Sequence, residues 1–286
     1  MYKKGILITG IDGLLGSTLK KKLFEKGYQV YDIGVDVSDA KKVLGYNFAG
    51  KKIDWIVHTA AITDMDLCEK DKRLCSKVNF EGTKNIVDLA KKIGARLLYI
   101  STVSVFSGTK GNYKENDKPD PKNFYNQTKL QGEQAALSYN PGLVLRINLI
   151  GVHPNGSRGK NFFEWLVDSI KADKDMQLFF DVMINPLSNW TIAELIEKII
   201  DRNLSEKILH IASRNILSKA DIAKLAVEKI TSYKGNLKFV SVDDIGGKAF
   251  RPKQMWLNSD YAQQKLRFVM PSLESEIEKI LQKIKK

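Results

Sequence analysis

A tyrosine and a lysine four residues apart, Tyr125 and Lys129, are residue types that can move a proton. At that spacing two side chains lie on one face of a helix, where an ammonium can stabilise a phenolate and lower the pKa of the tyrosine. Such a tyrosine donates a proton near neutral pH. A hydroxyl cluster, Ser101 to Ser104, lies about 23 residues upstream of the tyrosine. The two segments together predict a site for acid–base chemistry.

Three glycines near the N-terminus predict a second functional element. Gly10, Gly13 and Gly16 follow the apolar run Lys4 to Thr9 and open a segment with helical spacing, starting at Leu14 and Leu15. In a strand–turn–helix context, glycines let backbone approach a pyrophosphate, and the free N–H groups of the helix N-terminus bind it. A glycine turn that only packs the helix against the strand is the alternative, and it stays open.

Strands and helices alternate in the first half of the chain. Apolar runs at 28–33, 55–59, 96–101 and 143–148 read as buried strands, and segments at 14–26, 39–44, 71–93 (broken near Gly82) and around Tyr125 read as helices. This pattern predicts an α/β fold, a Rossmann-type doubly wound parallel sheet.

The rhythm changes after Gly151, where helices are expected at 162–170, 191–200, 221–231 and 273–284 and a strand at 237–240. We therefore predict a dinucleotide-binding domain over residues 1–150 and a smaller α/β substrate-binding lobe over residues 151–286. Part of residues 185–215 is a candidate to return to the first domain.

Composition limits the class of protein. With 286 residues and 43% hydrophobic content the chain can bury a sizeable core. No apolar run reaches membrane-spanning length, and the apolar stretch after Met1 is too short for a signal peptide, so we expect a cytoplasmic protein without a membrane partner. The net charge is +13, but the lysines are spread along the chain, so we expect solvated faces and no nucleic-acid partner.

The two cysteines, Cys68 and Cys75, are expected to be reduced thiols. The chain has no C-x-x-C motif and no histidine cluster, so no metal site is predicted. The scattered histidines, His58, His153 and His210, receive no role because a lone histidine is most often structural.

Several motifs together resemble one family. They are the two-residue gaps between Gly10, Gly13 and Gly16, the stretch 101–106, Tyr113 to Asp117, Tyr125 with Lys129, Gly132-Glu133, Asn161-Phe162, and Arg251-Pro252 ahead of Leu257. Along essentially its whole length the chain resembles the extended short-chain dehydrogenase/reductase superfamily, and most of all its dTDP-4-dehydrorhamnose reductase branch.

The resemblance implies roles for single residues. Tyr125 would be the general acid, Lys129 would bind the ribose hydroxyls and lower the tyrosine pKa, and Thr102 would donate a hydrogen bond to the substrate oxygen, with Ser101 and Ser104 as alternative donors. The implied cofactor is NADP or NAD. Gly34 stands at the position where the family has the acidic residue that selects NAD, and no arginine is found that would select NADP. Further cofactor contacts are implied at Asp36, Val37, Ala60 and Ala61, which as plain structure could equally be a helix cap and tight packing.

The substrate implied is a nucleotide-linked 4-keto-6-deoxy sugar. Its candidate contacts are Thr102, Val103, Arg158, Lys160, Asn161 and Arg251. Arginine suits a pyrophosphate because its guanidinium binds in a bidentate manner. Solvent-exposed cations are the alternative for Arg158, Lys160 and Arg251.

Two positions depart from the branch. Asn126 replaces a glycine after the tyrosine, and Val103 replaces an aspartate after the threonine. Without an acidic pair at Val103 and Ser104, sugar dehydration is not expected. The alternatives to reduction are epimerisation of another nucleotide sugar and a non-catalytic regulatory subunit resembling that of methionine adenosyltransferase. A homodimer is one option for the assembly.

Overall fold

The computed structural model describes residues 3–154, 161–230, 232–244 and 252–284. In chain order its strands are β1 (Gly5–Thr9), β2 (Gln29–Tyr31), β3 (Trp55–His58), β4 (Arg96–Thr102), β5 (Gly142–Ile147), β6 (Leu149–Ile150), β7 (Met176–Phe179), β8 (Met183–Ile184), β9 (Leu187–Ser188), β10 (Ile208–Ile211), β11 (Leu217–Ser218), β12 (Leu237–Val240) and β13 (Gln254–Met255). Its α-helices are α1 (Leu14–Glu25), α2 (Ala40–Leu44), α3 (Met65–Lys70), α4 (Lys72–Ser76), α5 (Gly82–Ile93), α6 (Phe124–Leu137), α7 (Phe162–Lys171), α8 (Asn189–Asp201), α9 (Lys219–Lys229), α10 (Asp260–Leu266) and α11 (Leu273–Ile284).

A six-stranded parallel sheet forms the centre, in the order β10-β5-β4-β3-β1-β2. Strands β1, β3 and β5 are buried along their whole length, which explains why they are largely apolar. Ile6 and Ile8 of β1 belong to the hydrophobic core that includes α1 and α8, whereas Leu7 belongs to the core that includes α5. The predicted fold class, a Rossmann-type α/β sheet, is confirmed.

The last strand of this sheet comes from far along the chain. β10 pairs in parallel with β5, with His210 opposite Arg146, and α8 packs against α1. A separate hydrophobic core joins α7, α9 and α11, with Phe163, Ile222 and Ile277 all fully buried. The domain boundary at residue 150 stays a prediction.

The expectation for the cysteines was wrong, because Cys68 and Cys75 form a disulfide with their Cα atoms 5.2 Å apart. On one continuous helix, residues seven apart would be separated by about 10 Å along the axis. The chain turns at Asp71, which ends α3 and accepts the backbone N–H of Leu74 to cap α4. That turn brings the two sulfur atoms together.

The helix predicted over 71–93 is divided into α4, a π-helical turn Lys77–Glu81 and α5, so the change of geometry lies just before Gly82. The short helix α10 had no counterpart in the sequence-based prediction. Within the described residues no helix combines the length and apolarity needed to cross a membrane.

Candidate active site

A cleft of about 1010 Å³ opens at the carboxyl ends of β1, β3 and β4. In open parallel sheets, ligands bind at the carboxyl ends of the strands, at the point where the strand order reverses. The cleft is lined by Asp12, Gly13, Leu14, Leu15, Gly16, Thr59, Ala61, Ile62, Thr63, Asp64, Met65, Ile100, Ser101, Thr102, Val103, Ser104, Tyr125, Lys129, Ile147, Asn148, Leu149, His153, Asn161 and Phe162. The glycine turn and the Tyr125–Lys129 pair therefore share one cleft.

The three glycines of the turn have different structural roles. Gly10 has φ +66°, a left-handed conformation that favours glycine, and a Cβ on Gly16 would lie 2.2 Å from the Gly10 carbonyl oxygen. Gly13 has φ −71°, and its added Cβ would meet only the Gly10 oxygen, at 3.2 Å. Gly10 and Gly16 are therefore required by the fold, whereas a Cβ at Gly13 would need only a small shift of its neighbour.

The N-terminus of α1 is suited to an anion. Leu14, Leu15 and Gly16 are its first three residues, whose backbone N–H groups have no partner within a helix. No side chain caps this end, and its first turn carries no acidic residue. A pyrophosphate here would face free N–H groups and the positive end of the helix dipole.

Tyr125 and Lys129 lie in the first two turns of α6, and both are buried. The Lys129 ammonium donates a hydrogen bond to the Ile100 carbonyl oxygen at 2.8 Å and lies 4.2 Å from the centre of the Tyr99 ring. Burial lowers the pKa of Lys129 to about 7, which the nearby Glu133 carboxylate opposes.

The sequence-based expectation that Lys129 lowers the pKa of Tyr125 is wrong for this arrangement. Burial raises the pKa of Tyr125 to about 12. The reason is that desolvation disfavours the phenolate, while the lysine is hydrogen-bonded to the backbone of β4. Tyr125 thus stays protonated over the whole neutral range.

The hydroxyl cluster at the end of β4 has divided roles. Ser101 is buried and donates to Glu133 Oε1 at 2.5 Å, so its hydroxyl is committed to the protein interior. Thr102 is half-buried at the cleft, where its oxygen accepts the backbone N–H of Ser104 and caps a 3₁₀ turn. That bond leaves the Thr102 hydroxyl proton free to point toward a ligand.

A buried ion pair supports α6 from beneath. Arg146 of β5 and Glu133 of α6 form two hydrogen bonds of 2.8 and 2.7 Å, with both side chains 2% exposed. Arg146 also donates to His210 Nε2 at 3.2 Å, and the other ring nitrogen of His210 lies 2.9 Å from the Tyr113 carbonyl. Strands β4, β5 and β10 are thereby tied to the helix that carries Tyr125.

The structure brings most of the predicted site residues together. Those at the cleft are Gly13, Leu14, Leu15, Gly16, Ala61, Thr102, Val103, Tyr125, Lys129 and Asn161. Arg158, Lys160 and Arg251 lie outside the described residues. For Gly10, Asp36, Val37 and Ala60, which are absent from the cleft wall, the structure gives packing or turn contacts. Ala60 packs against Gly10, the Asp36 carboxylate accepts the Ser38 N–H at 2.9 Å, and the Val37 carbonyl accepts from Asn85.

Sequence reasoning missed several residues of the cleft wall. Asn148 directly follows β5, and its position at the carboxyl end of a parallel strand was the signal that could have found it. His153 also lines the cleft, and no local pattern pointed to it. Its place at the cleft depends on how the segment after β6 folds.

The protein-family model described as RmlD substrate binding domain matches residues 3–286 of the chain. The chain belongs to this family. The predicted resemblance to dTDP-4-dehydrorhamnose reductases is thereby confirmed at the family level.

Relatives of this RmlD family member include reductases and a subunit of methionine adenosyltransferase. The probable low-salt glycan biosynthesis reductase Agl14 of Haloferax volcanii is 27% identical over 286 residues, covering 94% of this chain and 95% of that protein. The crystal structure of dTDP-4-dehydrorhamnose reductase from Bacillus anthracis in complex with NADP has a TM-score of 0.89 and 27% identity, covering 99% of this chain and 100% of that one. Methionine adenosyltransferase 2 subunit beta of Bos taurus is 36% identical over 158 residues, covering 51% of this chain and 46% of that protein.

Proposed function

We propose that this protein is an NAD(P)H-dependent reductase of a nucleotide-linked 4-keto-6-deoxy sugar, with dTDP-4-dehydrorhamnose as the first substrate to test. The observation that carries the proposal is the shared cleft, in which Thr102, Tyr125 and Lys129 accompany an uncapped helix N-terminus. The names of the relatives from Haloferax and Bacillus point the same way. Membership of the short-chain dehydrogenase/reductase superfamily is part of the same proposal.

The residues at the glycine turn fit a dinucleotide. Gly13 lines the cleft, and an added Cβ there would have only one close protein neighbour, so a ligand that comes near would explain the bare backbone at this point. Gly13 to Gly16 would hold the pyrophosphate through backbone N–H groups. Bound there, a reduced nicotinamide supplies hydride to a carbonyl carbon. The proposal includes both NADP and NAD as cofactors.

Tyr125 acts as the proton donor to the carbonyl oxygen. With a pKa of about 12 it is protonated at neutral pH, and it gives up its proton only when alkoxide charge develops on the substrate. Thr102 donates a hydrogen bond to the same oxygen and stabilises that charge. Lys129, held by the Ile100 carbonyl, would contact the ribose.

The substrate lies over Val103 and reaches Asn161 in this proposal, with its pyrophosphate near Arg158, Lys160 and Arg251. Val103 is apolar and 4% exposed, and so cannot exchange protons. That argues for hydride transfer to a ketone without elimination. We also propose that the protein works in the cytoplasm and as a homodimer.

The test is oxidation of NADPH and NADH by the purified protein with dTDP-4-dehydrorhamnose and a panel of other nucleotide-4-keto sugars. We expect turnover that depends on the ketone, with formation of the reduced sugar. Interconversion of sugars with no net cofactor oxidation would instead indicate an epimerase. Cofactor binding with no sugar-nucleotide binding would instead indicate a regulatory subunit. The similarity to the methionine adenosyltransferase subunit of Bos taurus is the reason for testing this alternative.

A further inference from the structure

His153 has an arrangement at the cleft that the proposed chemistry does not use. It lies three residues after β6 and shares the cleft with Thr102 and Tyr125. Its side chain is 15% exposed, so the ring is largely enclosed by protein.

Glu164 of α7 orients this ring. Its Oε1 accepts the backbone N–H of His153 at 2.8 Å and lies 2.8 Å from His153 Nδ1. Its Oε2 accepts from the backbone N–H and the side-chain amide of Asn161, at 3.2 and 2.8 Å. A carboxylate only accepts hydrogen bonds, so Nδ1 carries the proton. The contacts of the described residues therefore leave Nε2 as the ring nitrogen available to the cleft.

The charge of the pair limits what Nε2 can bind. With a neutral imidazole the His153–Glu164 pair has net charge −1, and with an imidazolium it has net charge zero. Neither form attracts a phosphate as the bare N-terminus of α1 does. A hydroxyl suits both forms, because it can donate to a neutral Nε2 and accept from a protonated one.

We propose that His153 is a specificity-determining residue that binds a hydroxyl of the sugar ring through Nε2, with Glu164 as the residue that positions the imidazole. This inference rests on the proposed function, because it assigns the sugar half of a nucleotide sugar to this wall of the cleft. The proposal assigns a role in substrate specificity to the segment after β6, which is far in sequence from Tyr125.

The kinetic experiment compares two variants of similar polarity. In His153→Gln the side-chain amide reaches the place of Nε2, whereas in His153→Asn it reaches only the place of Nδ1. We expect the asparagine variant to raise the KM for dTDP-4-dehydrorhamnose about tenfold, as for a lost hydrogen bond, and the glutamine variant to recover most of it. The Kd for NADPH should be unchanged in both. A wild-type KM in His153→Asn, or equal losses in the two variants, would overturn the proposal.

Imidazole NMR gives a readout that needs no turnover. The chain has three histidines, so the signals of His153 can be recognised by their loss in His153→Gln. With NADPH present we expect the Nδ1–H tautomer of His153 and a shift of its Nε2 signal on addition of dTDP-rhamnose, but none with dTDP.

A shift with dTDP alone would place His153 at the nucleotide and overturn the proposal. If dTDP-4-dehydrorhamnose is not reduced, the proposed function fails for that substrate, and the same spectra with UDP- and GDP-sugars against the bare diphosphates still test His153. Absence of a shift with every sugar nucleotide would refute the assignment.

Discussion

Alanine at Gly13 should separate the fold from the function of the glycine turn. Its φ of −71° is allowed for alanine, and the new Cβ would sit 3.2 Å from one carbonyl oxygen, which requires a movement of a few tenths of an ångström. Alanine is a poorer N-cap by roughly 0.5–1.5 kcal/mol, and the reduced freedom of the unfolded chain returns about 0.4–1 kcal/mol. The free energy of unfolding should therefore change by less than about 1 kcal/mol.

The effect on the cofactor should be much larger. A methyl group on the cleft side of Gly13 displaces the pyrophosphate from the N–H groups of α1, and each hydrogen bond to a charged group is worth about 1.5–3 kcal/mol. Loss of one such bond weakens NADPH binding by roughly 10- to 100-fold.

Calorimetric titration with NADPH, combined with urea unfolding, measures both quantities. Gly16→Ala is the matched control, because its Cβ would collide with the Gly10 carbonyl at 2.2 Å and should lower stability. A folded Gly13→Ala protein with wild-type NADPH affinity would refute the reasoning and leave the turn as a packing device.

Three further predictions concern α6. Tyr125→Phe should keep NADPH affinity while the rate of sugar reduction falls by about 10² to 10⁴, and a wild-type single-turnover rate would remove Tyr125 from catalysis. Burial lowers the pKa of Lys129 to about 7 in the folded state, so the unfolded chain binds more protons between about pH 7 and pH 10.5. The unfolding free energy of the wild type, measured relative to that of Lys129→Met, should therefore rise with pH across that window. The rise should be at most about 1.4 kcal/mol per pH unit. Urea unfolding at several pH values measures this, and a falling difference would contradict the burial argument. Glu133→Ala should cost roughly 3–5 kcal/mol in unfolding free energy because Arg146 is left buried without its carboxylate, whereas Glu133→Leu combined with Arg146→Met should cost clearly less, and equal costs would contradict the role of the unpaired charge.

The amino-acid sequence by itself determined most of the strands and helices of residues 1–150 and the main motifs of the cleft. Periodicity is a local property, so the strand expected over 237–240 and the helix over 273–284 match β12 and α11. Tyr125, Lys129 and the glycine turn could be found in the same way, because each is a short motif within one element or one turn.

Only the tertiary structure decided the electrostatics of these residues and their contacts with distant segments. The pKa of Tyr125 depends on burial by other elements, and the choice between Ser101 and Thr102 depends on Glu133, 32 residues beyond Ser101. The disulfide depends on a turn at Asp71, and the orientation of His153 depends on Glu164 in the following helix. Desolvation and hydrogen bonding act through space between segments packed by the fold, and neither has a signature in local spacing.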